Sequence, residues 1–255
     1  MPLGVDFSTF SNSILAHLLF IPIKMKKHIP NTITCCNLIC GCIATFYAFQ
    51  GMFTLALAFI IGGAVFDFFD GFTARLLHVS SPIGKELDSL ADDITFGFAP
   101  AAIVFTMLKM VPTMTEFGWL NALLPYMAFL IAAFSALRLA KFNLDERQTT
   151  SFIGLPTPAN ALFWGAFVLG MKEQLANFDY SLPLLLIGVL LSSWLLVAEI
   201  PMFALKFKSY GFAANKLKYG FILFSAVMLI FLGWTGFSFI IVAYIILSIL
   251  NNLKK

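Results

Sequence analysis

Charge is what this sequence has least of. Asp, Glu, Lys and Arg make up only 11% of its 255 residues, 60% are apolar, and mean hydropathy is +0.91. A soluble domain carries about 25% charged residues, so this chain cannot cover a water-facing surface and most of that surface must meet lipid. The net charge of +3 gives no reason to expect a nucleic-acid partner. Cysteine is scarce too. The four present, Cys35, Cys36, Cys40 and Cys42, crowd one apolar segment without the paired spacing of a zinc site. They read as small apolar packing residues. Tryptophan is rare beside thirty phenylalanines, a composition for lipid contact and helix packing in which no site is visible.

Each crossing of a bilayer takes about 20 apolar residues, so the chain has room for about eight spans and for no sizeable soluble domain. The expected fold is an all-α, polytopic transmembrane helical bundle with spans at 31–50, 53–77, 85–109, 118–142, 156–171, 181–205, 216–233 and 236–252. Turn-formers and short polar runs separate them. The last division rests on Gly233-Trp234-Thr235-Gly236, with a single kinked helix as the competing reading. Of the sixteen Lys and Arg residues, all but Lys109 and Lys172 fall on one side of this arrangement, which puts both termini in the cytoplasm. The apolar stretch Ile14 to Ile23 is too short to span, and no small-residue cleavage site follows it. Residues 1–24 are therefore expected to be an extension, either interfacial or upstream of a natural start at Met25. Residues 25–255 would then form one transmembrane domain.

Against this background five acids are out of place. Asp67 and Asp70 lie toward the end of the second span, and Asp88, Asp92 and Asp93 near the start of the third. An acid deep in a membrane helix costs about 2.5–3.5 kcal/mol, so a positive partner is required. Asp67 and Asp70 are three apart, and Asp88 and Asp92 four apart, so each pair shares a helix face. A short connection around Ser80 to Gly84 makes the two helices expected antiparallel neighbours whose acidic faces meet. Four carboxylates there suit Mg²⁺ or Mn²⁺. Asp93 points about 100° away from Asp92 and is not expected to be a ligand. Pairing with Arg75 and Lys85 in the headgroup zone is the plainer alternative, but two cations cannot neutralise five acids. Gly71, Ala74 and Gly84 are small where a bulky ligand could approach, or serve helix packing. Arg75 offers a planar fork for a phosphate oxygen. Glu199, beside Ile200-Pro201, receives no role.

The run Asp67-Phe-Phe-Asp70-Gly71-Phe-Thr-Ala74-Arg75, with Gly84, Asp88 and Asp92 following at fixed spacing, resembles the signature of the CDP-alcohol phosphatidyltransferases. The likeness extends from about Ile29 to the end. Within the family it is most similar to the phosphatidylserine synthases, through Leu87 to Asp92, Thr95 to Ala101, Ala136 to Asn143, Gly154 to Pro158, and Ile29 to Thr34 with Asn37 and Gly41. Thr95 stands where serine is expected and Lys141 where arginine is common; both keep the chemical type.

That resemblance implies transfer of a phosphatidyl group from CDP-diacylglycerol to the hydroxyl of L-serine, giving phosphatidylserine and CMP. It implies two divalent ions, Mg²⁺ or Mn²⁺, on Asp67, Asp70, Asp88 and Asp92, with Asp92 also the catalytic base. Asn37, Asp70, Gly71, Ala74, Arg75 and Gly84 would contact the cytidine diphosphate. It further implies membrane lipid as the setting and a homodimer as the assembly. Arg138 and Lys141, three apart, share a face that, with Asn143, would receive serine's headgroup; positive-inside anchoring explains the same two cations without a substrate. Short loops suit a prokaryotic inner membrane with the site facing the cytoplasm. Rival readings are a sister enzyme using glycerol phosphate or inositol, an intramembrane prenyltransferase, and an ion transporter with buried acids.

Overall fold

The computed structural model describes residues 26, 28–112, 118–145, 152–203, 211 and 215–253. The expected extension of residues 1–24 lies outside them. The described chain is a helical bundle. Its first helices are α1 (His28–Phe49), α2 (Phe53–Leu76) and α3 (Pro82–Asp92). A π-helical turn, Asp93–Phe98, carries α3 into α4 (Ala99–Leu108). Next come α5 (Gly118–Leu123), a 3-10 turn at Leu124–Phe129, and α6 (Leu130–Leu144). The last four are α7 (Thr157–Asn177), α8 (Ser181–Val197), α9 (Lys216–Leu232) and α10 (Gly236–Leu253). α3–α4 and α5–α6 each form one continuous stretch.

Among the described residues, five stretches are long and apolar enough to cross a bilayer: His28–Phe49, Phe53–Leu76, Pro82–Leu108, Gly118–Leu144 and Lys216–Asn252. Ser181–Val197 is apolar but shorter. Lys216–Asn252 is folded back on itself, because the rings of Phe221 on α9 and Tyr244 on α10 lie 6.0 Å apart. Gly233, at φ 54°, makes that reversal, so the single kinked helix is not what forms. The outer face is apolar. Ile230 and Phe231 are 78% and 79% exposed, a cost in water and a match to lipid tails.

Small residues set the spacing inside. Ala44 and Ala48 of α1 and Ala56 of α2 are fully buried in the core with Ala99, Ala101 and Ala102, the composition that lets membrane helices approach closely. The approach is tightest near the π turn. A Cβ on Gly41 would come within 2.8 Å of the Cα of Thr95, and one on Gly63 within 2.8 Å of Asn37 Oδ1. The π turn itself has a local cause. Pro100 has no N–H to give to the carbonyl four residues back, and its ring crowds that carbonyl. The helix widens there, with Ala99 N–H bonding Ile94 O.

Two boundaries differ from expectation. The sixth span was expected to run to residue 205, yet α8 stops at Val197. Ile200 precedes Pro201 and is biased to extended backbone. The chain there forms β2 (Pro201–Met202), antiparallel to β1 (Phe152–Ile153), with Phe152 opposite Met202. Gly154 N–H also donates to Ile200 O and Leu155 N–H to Leu195 O, both at 2.9 Å. In the other direction, α7 continues to Asn177, through residues expected to be a loop.

Candidate active site

The acids lie on two helices joined by a tight reversal. His78, at φ 50°, follows the end of α2. Ser81 then caps α3, its Oγ accepting from Gly84 N at 2.9 Å with Pro82 in the first turn, which satisfies a donor the helix leaves open. The two helices are not, however, close-packed neighbours as expected: each packs chiefly on α1. They therefore diverge around a cavity of about 210 Å³ with α1 as its back wall. Pro30, Asn31 and Thr34 of α1 line it, with Asp70, Gly71 and Ala74 of α2, Val79, Ser80 and Ser81 of the turn, and Gly84, Lys85 and Asp88 of α3.

At the inner edge of this cavity one oxygen each from Asp67, Asp70 and Asp88 lies within 4.8 Å of the others. Like charges at that separation repel by about 3 kcal/mol per pair at an effective dielectric near 20. No described lysine or arginine forms an ion pair with these carboxylates, and the one nearby cation lining the cavity, Lys85, directs its Nζ to Asn143 O at 2.9 Å. Pairing with Arg75 and Lys85 is therefore not how the acids are held. Three hard oxygen donors, close together and without a protein cation, fit a divalent ion of the Mg²⁺ or Mn²⁺ kind.

Asp92 is one turn further along α3 and is not part of that group of three. It is buried, and its Oδ1 accepts from Asn37 Nδ2 at 3.0 Å. Asn37 was expected against the cytidine diphosphate; it does not line the cavity and instead orients Asp92. Its own backbone oxygen accepts from Thr95 Oγ1 at 3.0 Å. Thr34, one turn before Asn37, donates to Asp70 Oδ2 at 2.6 Å. Asp93 turns the other way: its Oδ1 and Ser135 Cβ lie 2.7 and 2.9 Å from where a Cβ on Gly97 would stand.

The other expected residues divide. Gly71, Ala74 and Gly84 line the cavity, and a Cβ on Gly71 would meet nothing within 4 Å. Arg75 is exposed and outside the lining. Arg138 and Lys141 share a second, smaller cavity with Asp145, Ile153, Leu196, Val197 and Glu199. Arg138 is buried, its guanidinium 5.1 Å from the Phe142 ring, and it lies within electrostatic reach of Asp92. Asn143 is not in that cavity; its amide donates to Ser89 Oγ at 2.8 Å. Sequence reasoning gave no role to Thr34, Asn31, Lys85 or Glu199. The spacing of Asn31, Thr34 and Asn37, one polar residue every three along an apolar helix, was the available signal for the first two.

Residues 27–205 match the family described as CDP-alcohol phosphatidyltransferase. The chain is 36% identical over 174 residues to a CDP-diacylglycerol–serine O-phosphatidyltransferase of Bacillus subtilis (strain 168), covering 68% of this chain and 89% of that protein. A protein of the same name from Mycobacterium leprae is 35% identical over 183 residues, but the match spans only 57% of its length. One from Methanocaldococcus jannaschii is 30% identical over 187 residues, covering 73% of this chain and 80% of the relative.

Proposed function

The chain belongs to the CDP-alcohol phosphatidyltransferase family, and from that premise we propose that it transfers the phosphatidyl group of CDP-diacylglycerol to the hydroxyl of L-serine, releasing CMP. The observation that carries this reading is the convergence of Asp67, Asp70 and Asp88 beside a cavity walled by Gly71, Ala74 and Gly84. A nucleoside diphosphate needs that combination of oxygen donors for its counter-ion and small residues for its bulk. The names of the similar proteins support serine as the acceptor.

Asp67, Asp70 and Asp88, with Asp92 beside them, would hold two divalent ions, Mg²⁺ or Mn²⁺. Such ions would neutralise the diphosphate and stabilise charge on the transferring phosphorus. Asp92, oriented by Asn37, accepts the proton of the serine hydroxyl, a poor nucleophile while it keeps that proton. The serine oxygen–phosphorus bond forms as the phosphorus–oxygen bond to CMP breaks. Arg138 and Lys141 take the serine carboxylate; Asn143, engaged with Ser89, is left out of that role. The one-sided distribution of Lys and Arg supports a site facing the cytoplasm. An acceptor screen tests the reading: purified protein with CDP-diacylglycerol should form phosphatidylserine from L-serine. A lipid product from glycerol 3-phosphate or inositol in place of serine would move it to a sister activity.

A further inference from the structure

The smaller cavity, linked to the aspartates through Arg138, which lies within electrostatic reach of Asp92, is lined by charges of both signs. Arg138 forms part of its wall; it is 7% exposed, and its Nε has no hydrogen-bond partner. Lys141 stands one turn further along α6, and Asp145 and Glu199 complete the polar lining. The room is about 40 Å³, enough for a few water-sized groups and so for the carboxylate of a small acceptor whose other end lies at the open mouth, not for a nucleotide. A buried arginine with an open donor is costly unless a partner arrives. The acids at the rim make a doubly charged phosphate a poor partner, since like charges brought close in a desolvated site cost more than contacts recover.

Glu199 is held at this cavity by backbone. Ala198 is extended, and Pro201 and Met202 are pinned by pairing with Ile153 and Phe152. Gly154, at φ 76°, lies so close that a Cβ on it would be 2.5 Å from Leu196 O and 3.1 Å from Ala198 O. Gly154-Leu155-Pro156 thus fixes where Glu199 sits, although that residue lies 45 positions away in sequence. A glutamate sharing a small cavity with an arginine and a lysine offers partners for the two ends of an amino acid.

We propose that Glu199 receives the α-ammonium of the acceptor while Arg138 and Lys141 hold its carboxylate, so that this cavity selects a zwitterion and rejects acceptors carrying phosphate. The proposal deepens the reading of serine as acceptor and rests on it. A zwitterion that leaves bulk water needs a partner for each charge, and the cavity presents both signs, with Arg138 buried and Lys141 and Glu199 at its exposed mouth.

The test compares the unmodified chain, Glu199→Gln and Asp145→Asn in CMP release with CDP-diacylglycerol. L-serine is set against 3-hydroxypropanoate, which keeps the hydroxyl and carboxylate but lacks the ammonium. Glu199→Gln should raise the KM for L-serine by about ten- to a hundredfold, the scale of a lost charged hydrogen bond, with the KM for CDP-diacylglycerol and the melting temperature unchanged. Its preference for L-serine over 3-hydroxypropanoate should shrink by the same factor. An unchanged preference in Glu199→Gln, or a collapse of it in Asp145→Asn alone, overturns the proposal. If the unmodified chain shows no serine-dependent release at all, it is the acceptor reading itself that fails.

Discussion

Asn37 on α1 and Asp92 on α3, 55 residues apart, are joined by a hydrogen bond of 3.0 Å from the amide nitrogen to the carboxylate. This bond ties the back wall of the cavity to the acid that differs from the other three. It leaves Asp92 one lone-pair direction fewer for a metal and a defined orientation toward a reacting hydroxyl. Asn37 in turn lies against Gly63 and Thr95, so the close helix packing at the centre of the bundle is what aims the carboxylate.

Substituting Asn37→Ala should lower kcat by about ten- to a hundredfold while the KM for CDP-diacylglycerol moves little, because the lost contact orients a base whose contribution is of the order of 10²–10⁴. Steady-state kinetics on the purified protein checks it. A rise in that KM with kcat intact would mean instead that Asn37 touches the nucleotide.

Thr34→Val removes the hydroxyl that donates to Asp70 at 2.6 Å. A hydrogen bond to a charged group is worth about 1.5–3 kcal/mol, so the Mn²⁺ concentration giving half-maximal activity should shift by about tenfold or more. Chelator-treated protein should be inactive and recover on adding Mn²⁺ or Mg²⁺.

Two glycines separate space for a ligand from space for a helix. Gly71→Val should raise the KM for CDP-diacylglycerol with little loss of thermal stability, since a Cβ there meets nothing within 4 Å. Gly63→Val should do the reverse and lower the melting temperature in detergent. Its first carbon would fall 2.8 Å from Asn37 Oδ1, and overpacking of this kind costs about 1–3 kcal/mol.

The acids, their pairing by helix face and the small residues among them were legible because each depends only on local spacing and on the cost of charge in lipid. The helical bundle was legible for the same reason. What α1 contributes was not. Thr34 and Asn37 look like ordinary polar interruptions of an apolar helix until Asp70 and Asp92 are brought to them from 36 and 55 residues away. Arg75 and Lys85 both read from the sequence as cations near the acids, yet only Lys85 lines the cavity, while Arg75 is exposed outside it. The early end of α8 and the placing of Glu199 depend on the pairing of residues 152–153 with 201–202, a long-range contact to which hydropathy is blind.

The most direct measurement is serine-dependent CMP release from CDP-diacylglycerol with Mn²⁺, for the unmodified chain beside Asp92→Asn. The account predicts release that requires both serine and the metal and falls by at least a hundredfold in the variant, with one Mn²⁺ ion still bound by Asp67, Asp70 and Asp88. Release that persists in Asp92→Asn, or that proceeds equally without serine, would contradict it.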